Sequence, residues 1–584
     1  MTAIAPVLTG AAAPPPLHRR TWRGATEGLT SSRYFPYLLS IPLVLVLVGY
    51  VVGPLISTFV DTGGGKGAAS NYSQFFSTEG VALGSLLTSV GISVASVLLC
   101  GAVGTGMAFL LARFDFPGRR LIEALILVPA ALPSLIGAIS FQMLYSNIGI
   151  IPRWLQLIFG TDGPVLAATG IAGVLVVHTF TMYPFFYLSI SATLANIDTS
   201  AEEAAANLGS SPFRVLRTVT IPLLTPALVS GALIVFMMSM ASYTAPLLFN
   251  VDRTMTMQIV INRTNGNLPM SATYSAMLAI ISLIFLIGMR WFEGRHSYRS
   301  MSKGVVALRR ELRSRLGRYL TISGSIVAAI VLLAPVAVIA LVAFSRNGSW
   351  TSQIIPSAYT FDNFIEIFTD PTALKPIINS LQMSAVATIA SIVVGLLAAY
   401  LTRRFEFRGR GLIDLAVMLP WALPGTVVAV NLISAFSEGN AFSFGQVLVG
   451  TFWILPLAYF VRFMPLVFRS SSASLSQLDP SLEEAARNLG ATWGRAFRTV
   501  TIRIVYRGVL AGALLAFVYG VGEFVASVLI YTPHTVPISI EINNRMYAFN
   551  MGTANAYGML QVVLIFIVML VSRRLETLRG KRSD

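Results

Sequence analysis

Long apolar runs separated by short polar segments dominate this chain. They lie at 34–60, 83–112, 121–145, 164–194, 226–249 and 271–292, and again at 319–344, 379–401, 411–437, 444–468, 507–531 and 553–572. A helix that crosses a bilayer needs roughly 20 largely apolar residues. The pattern predicts an all-α integral membrane protein with twelve transmembrane helices in two groups of six. Pro184 and Pro465 fall within runs, where kinks are expected.

The second group repeats the first. Glu202-Glu203-Ala204-Ala205-Ala206-Asn207-Leu208-Gly209 returns as Glu483-Glu484-Ala485-Ala486-Arg487-Asn488-Leu489-Gly490, at an offset of 281 residues. Leu216-Arg217-Thr218-Val219-Thr220-Ile221 returns as Phe497-Arg498-Thr499-Val500-Thr501-Ile502. Arg113-Phe114-Asp115-Phe116 pairs with Arg404-Phe405-Glu406-Phe407, and Pro129–Pro133 with Pro420–Pro424, at an offset of 291. The first half therefore carries about ten extra residues near 146–163. The halves read as a duplicated and fused six-helix unit: a tail at 1–33, a first half at 34–293, a linker at 294–318, a second half at 319–575 and a tail at 576–584.

The repeated polar stretches, 197–225 and 478–506, predict helix, glycine turn, helix. Ser200 with Glu203, and Ser481 with Glu484, have the spacing of capping boxes. Gly209 and Gly490 stand where a left-handed residue ends a helix. One reading is an ordinary helical hairpin whose glutamates only cap; the other is a docking surface for a partner protein.

Composition supports the membrane assignment. Of 584 residues 55% are hydrophobic and 11% charged, against roughly 25% charged in a soluble domain. The lone Cys100 excludes a disulfide framework and a cysteine-based metal site. The run from Tyr34 reads as an uncleaved first helix, not a signal peptide. A net charge of +16 would suit nucleic acid, but its distribution reports topology instead. With the N-terminus inside, arginines gather at 19–33, 113–120, 293–318, 403–410 and 573–582, all on one side. Both termini and both glycine-turn stretches are then cytoplasmic. On the outside, Tyr72–Phe76 and Phe361–Phe364 read equally as short interfacial helices or as plain loops.

No phosphate-binding loop exists, since neither Gly-Lys pair is followed by Ser or Thr. ATP hydrolysis is not expected of this chain. Ionisable groups inside spans are candidates for function. Glu523, expected inside the eleventh span, corresponds to Ser242, which Tyr243 follows; Arg462 corresponds to Thr181; His178 lies in the fourth span. Glu523 has three readings: it faces a pathway and attracts a cation, it pairs with Arg462, or it is a neutral acid bonded to a neighbouring helix. Arg462 reads as a pathway residue or as an interior ion pair or snorkelling side chain, and His178 as a pathway residue or a satisfied buried histidine. Gln142 and Asn431 suit either a pathway or polar contact between helices. The residues identify no metal site.

Glu203-Ala204-Ala205 with Gly209, followed by Ile221-Pro222, resembles the cytoplasmic loop of binding-protein-dependent ABC importer permeases. Glu484, Ala485, Ala486 and Gly490 keep the pattern, while Arg503 stands where Pro222 would be. The resemblance implies the type I importer permease fold and a location in the bacterial inner membrane. It implies two separate ABC ATPase subunits on the loops, with ATP bound there and not here, and a solute-binding protein on the outer face. The fused form is similar to ferric-iron importer permeases; thiamine, phosphonate, polyamine and sulfate permeases share the fold. An ion-coupled secondary transporter also fits twelve spans in two halves, but it would leave the paired glycine-turn loops unexplained.

Overall fold

The computed structural model describes residues 34–63, 67–77, 80–195, 197, 200–295, 310–311, 315–350 and 353–577. The N-terminal tail, the C-terminal tail beyond Thr577 and most of the linker lie outside these residues. The first half consists of α1 (Phe35–Asp61), α2 (Ala68–Phe76), α3 (Val81–Arg113), α4 (Arg119–Leu125), α5 (Ser134–Tyr145), α6 (Ile150–Phe159), α7 (Gly170–Leu194), α8 (Ser200–Asn207), α9 (Pro212–Met240), α10 (Thr244–Leu248), α11 (Met255–Thr264) and α12 (Leu268–Arg295). The second consists of α13 (Arg315–Ala343), α14 (Asp362–Thr369), α15 (Pro371–Arg404), α16 (Arg410–Ala422), α17 (Gly425–Phe436), α18 (Ile454–Ser476), α19 (Ser481–Asn488), α20 (Trp493–Val521), α21 (Ser527–Ile530), α22 (Ile538–Tyr547) and α23 (Met551–Thr577). Among these helices of the described residues, α6 lacks a counterpart, and it lies within the stretch where the change of offset placed the extra residues. Among the described residues the only paired strands are β1 (Phe114–Asp115) and β2 (Arg310–Glu311), which run parallel.

Among the described residues ten helical stretches are long and apolar enough to cross a membrane, α5 with α6 counting as one, and α16 with α17, bent by 113°, makes an eleventh. Helix α18 completes the second set of six. It packs against α15 and α20 as α7 packs against α3 and α9, but Arg462, Arg469 and a serine-rich end lower its hydropathy. Several expected spans differ. The run 444–468 does not become helical until Ile454, because Phe444, Gly445 and Gly450 take positive φ and turn the chain. The run 121–145 breaks before Pro133, and 411–437 before Pro424; in both, a leucine–proline pair stands in extended backbone. Proline disfavours helix in the residue before it. The segments expected outside do form helices, α2 and α14.

Small residues set the tightest packing. Ser89, Ser93, Ser96, Cys100, Gly104 and Ala108 are buried on α3, and Ser380, Ser384, Ala387, Ser391, Gly395 and Ala399 stand at the same positions on α15. A Cβ on Gly104 would lie 2.5 Å from the Tyr183 carbonyl oxygen, so the α3 and α7 backbones touch. Small side chains permit such contact where lipid supplies no hydrophobic drive between helices. Each half also crosses into the other: α1 packs on α16 and α17, and α13 on α4 and α5. Both apolar cores therefore contain residues of both halves.

Candidate functional site: two clasped loops and a central pair of helix breaks

The loop helix α8 ends at Gly209, whose φ is +84°, and α19 ends at Gly490, with φ +86°. In each the two closing bonds of a Schellman turn form: Ser210 N–H donates to Ala205 O and Gly209 N–H to Ala206 O, as Ala491 does to Ala486 and Gly490 to Arg487. The capping box expected at Ser481 is absent. Ser481 is the first residue of α19, and Asp479 accepts its backbone N–H at 2.9 Å. The Ser481 backbone and hydroxyl hold the Asp479 carboxyl below the usual carboxylate range. In the first copy the corresponding Asp198 lies outside the described residues.

The first glutamate of each pair holds the loop in place. Glu202 accepts from the Arg113 guanidinium at the end of α3 and from the Thr220 hydroxyl at 2.7 Å. Glu483 accepts from the Thr501 hydroxyl and from Tyr400 at 3.2 Å, with Arg404 at 3.7 Å. Arginine, glutamate and threonine come from three separately repeated motifs, which the fold joins into one clasp per half. Glu202 and Glu483 were not singled out in the sequence, although the repeat pairs them with each other. Glu203, Glu484, Ala204 and Ala485 are exposed, Ala205 and Ala486 half-buried. Leu208 and Leu489, also missed, are 88% and 89% exposed beside the turns. A large apolar side chain is thus bared at the same place in both loops.

After the turn, the chain does not form a separate hairpin arm. It continues from Pro212 to Met240, and from Trp493 to Val521, as one helix. Each passes through a π-helical turn, at Leu216–Thr220 and Phe497–Thr501, that ends on the clasped threonine. Pro222 is not the cause of that turn. Arg503, with its N–H intact, stands at the equivalent place, and the π turn forms there too; both residues are exposed.

At their far ends α9 and α20 stop short of the expected spans. Ser242 and Glu523 lie not inside helices but in the breaks 241–243 and 522–526. Unwound backbone inside a membrane protein must find partners, and the two halves supply them alike. The Thr256 hydroxyl donates to Ser242 O at 2.6 Å and Ser539 to Glu523 O at 2.6 Å. Met255 N–H donates to Ser89 and Ile538 N–H to Ser380.

The side chains at these breaks differ. His178 Nε2 lies 2.8 Å from the Ser242 hydroxyl, and Nδ1 lies 2.9 Å from Ser96 and 3.2 Å from Ser239. Its equivalent, Tyr459, bonds Ser527 at 2.8 Å. Arg462 forms an ion pair with Glu523, whose other oxygen accepts Ala526 N–H at 2.7 Å. Of the three readings of Glu523, the structure has the pair. A Cβ on Gly425 would lie 2.5 Å from Arg462 Nη1, so the bend before α17 is where the guanidinium passes. The breaks meet across the halves: the Tyr243 and Phe524 rings, at equivalent positions, lie 6.1 Å apart, and a Cβ on Gly522 would lie 3.4 Å from Pro133. Both rings are buried. Gln142 and Asn431 are elsewhere. Gln142 donates to Leu248 O at 2.9 Å, and Asn431 accepts from Thr58 at 2.7 Å, tying α17 to α1. Among the described residues no three His, Cys, Asp or Glu side chains are placed to share a metal ion.

Two segments, 102–298 and 391–579, match the family described as binding-protein-dependent transport system inner membrane component. The chain belongs to this family. It is the permease subunit of a binding-protein-dependent ABC importer, a multi-pass membrane protein and not itself catalytic. A probable ABC transporter permease protein of Sinorhizobium fredii is 28% identical over 85% of this chain and 89% of its own. A ferric transport system permease protein of Actinobacillus pleuropneumoniae is 25% identical over 94% and 80%, and an Fe(3+)-transport system permease protein of Haemophilus influenzae 24% over 84% and 88%. A molybdenum transport permease of Mycobacterium tuberculosis is 30% identical over 35% of this chain. Among solved structures, a bacterial alginate ABC transporter covers 44% of this chain at 18% identity with a TM-score of 0.36.

Proposed function

We propose that this permease imports ferric iron, and that its two loops carry the stroke of two separate ATPase subunits to the central breaks. The observation behind the mechanism is the helix that continues, through its π turn, from loop to break. Its 29 residues in each half span about 43 Å at 1.5 Å per residue. ATPase subunits dock on the exposed faces around Leu208 and Leu489. Their closure moves α8 and α19, the clasps hold those helices to α3 and α15, and α9 and α20 carry the movement inward. The Tyr243–Phe524 contact then parts and opens the pathway to the other side, a shear of packed helices between two arrangements. ATP is bound by the ATPase subunits and not by this chain. A solute-binding protein delivers cargo opposite the loops, and the loops and both termini face the cytoplasm from the bacterial inner membrane.

Iron rests on length of match. The ferric-transport relatives match across both fused halves, whereas the molybdenum relative matches about one. Glu523 adds no support, because Arg462 neutralises it. Uptake of labelled ferric iron, molybdate and thiamine by cells expressing the chain with its own partner subunits tests the reading. Iron uptake lost on deleting this chain supports it; uptake of another solute alone leaves the permease and overturns the cargo.

A further inference from the structure

A groove of about 850 Å³ lies between α13 and the region of α4 to α6, open toward the surroundings of the bundle. Its α13 wall runs from Ile322 through Ala329 and Ala337 to Leu341, with Gly118 and Leu121 opposite. Apart from Ser325, every lining residue is apolar or glycine. Ile322 to Leu341 spans about 28 Å, close to the roughly 30 Å of bilayer hydrocarbon. Beyond Ile322 the same face of α13 changes character. One turn earlier stands Arg318 and two turns earlier Arg315, while Arg120 adjoins Leu121 on the facing wall; all three are exposed.

The other half shows what belongs in such a groove. There α1 packs on α16 and α17, and protein side chains fill the seam. The Phe442 ring presses on Gly49, where a Cβ would lie 2.3 Å from it, and Tyr50 donates to Phe442 O at 2.8 Å. Nearer the loops, Tyr37 packs edge-on against Phe407 at 5.4 Å. Ser325 and Ala329 offer nothing of that size, so the first-half seam stays open.

We propose that this seam is a binding site for an anionic phospholipid. Its acyl chains lie along Ile322 to Leu341, and its phosphate meets Arg318, Arg315 and Arg120. Guanidinium groups suit phosphate oxygens in paired hydrogen bonds, and basic pockets at the ends of spans select anionic headgroups. The charge at one end gives the groove a direction that an unspecific lipid-facing surface lacks.

The full-length protein, purified in mild detergent and offered equal phosphatidylglycerol and phosphatidylethanolamine, is read by native mass spectrometry. The wild type is expected to keep one phosphatidylglycerol in preference to phosphatidylethanolamine. R315Q/R318Q is expected to lose about tenfold in that preference. A329F/A337F, which fills the groove, is expected to lose both lipids. Equal retention of the two lipids by the wild type overturns the proposal, as does unchanged lipid on A329F/A337F. If that variant fails to fold, R315Q/R318Q decides alone, and an unchanged preference rejects the site. Iron uptake is not the readout, so neither result depends on the cargo.

Discussion

The two central breaks are built on the same backbone and carry opposite chemistry. In the first half a neutral hub of His178, Ser96, Ser239 and Ser242 closes the break; in the second, the Arg462–Glu523 ion pair does. The hydroxyls that satisfy the unwound carbonyls, Thr256 and Ser539, stand at matching places in both. The duplication preserved what the backbone requires and let the side chains diverge. A fused chain permits this, because each half always meets the other and never a copy of itself. The loops show the same division: both glutamates accept from the threonine, while in the second Arg404 stands 3.7 Å away and Tyr400, itself bonded by Trp493 at 3.1 Å, donates to Glu483.

This contrast fixes the order of mutational effects. Arg462→Met leaves the Glu523 carboxylate buried without its partner and is expected to cost about 3–5 kcal/mol, read as a collapse of the thermal melt in detergent. Adding Glu523→Gln is expected to restore most of it; a double variant as unstable as the single one breaks the pair's significance. His178→Leu deprives only neutral hydroxyls and is expected to cost about 1–3 kcal/mol by the same melt. A loss equal to that of Arg462→Met would erase the contrast.

The loops give the smaller effects. Gly209→Ala and Gly490→Ala meet no atom within 4 Å, so each is expected to cost only the left-handed backbone, about 1–2 kcal/mol, and the two should match. Unequal costs would show that the loops differ beyond these contacts. Smallest is the cap of α19. The lowered Asp479 carboxyl contributes stability that is present above its ordinary range and lost as pH falls through its lowered value. Asp479→Asn keeps an acceptor and is expected to abolish that pH dependence, followed by hydrogen exchange at residues 481–488.

What the sequence revealed is what depends on length and repetition. Apolar runs report spans because bilayer thickness sets them, and the change of offset from 281 to 291 placed the stretch that contains α6. Breaks within runs were hidden. Leu132-Pro133 and the segment around Glu523 are as apolar as a helix, and their backbone partners come from elements far along the chain. The capping spacing at Ser481 misled because Asp479, two residues earlier, reaches the first free N–H. The clasps were present as three repeated motifs, but only folding brings Arg113, Glu202 and Thr220 together. The small-residue stripe on α3 is legible in the sequence at a spacing of three and four.

Thr220 and Thr501 are buried, so they touch the clasps without touching any docked partner. The most direct test of the proposed coupling is ATP hydrolysis by the assembled transporter carrying Thr220→Val and Thr501→Val, with and without loaded binding protein. The account predicts that the complex assembles and hydrolyses ATP at its basal rate, but that loaded binding protein no longer raises that rate. Full stimulation in the double variant would contradict it.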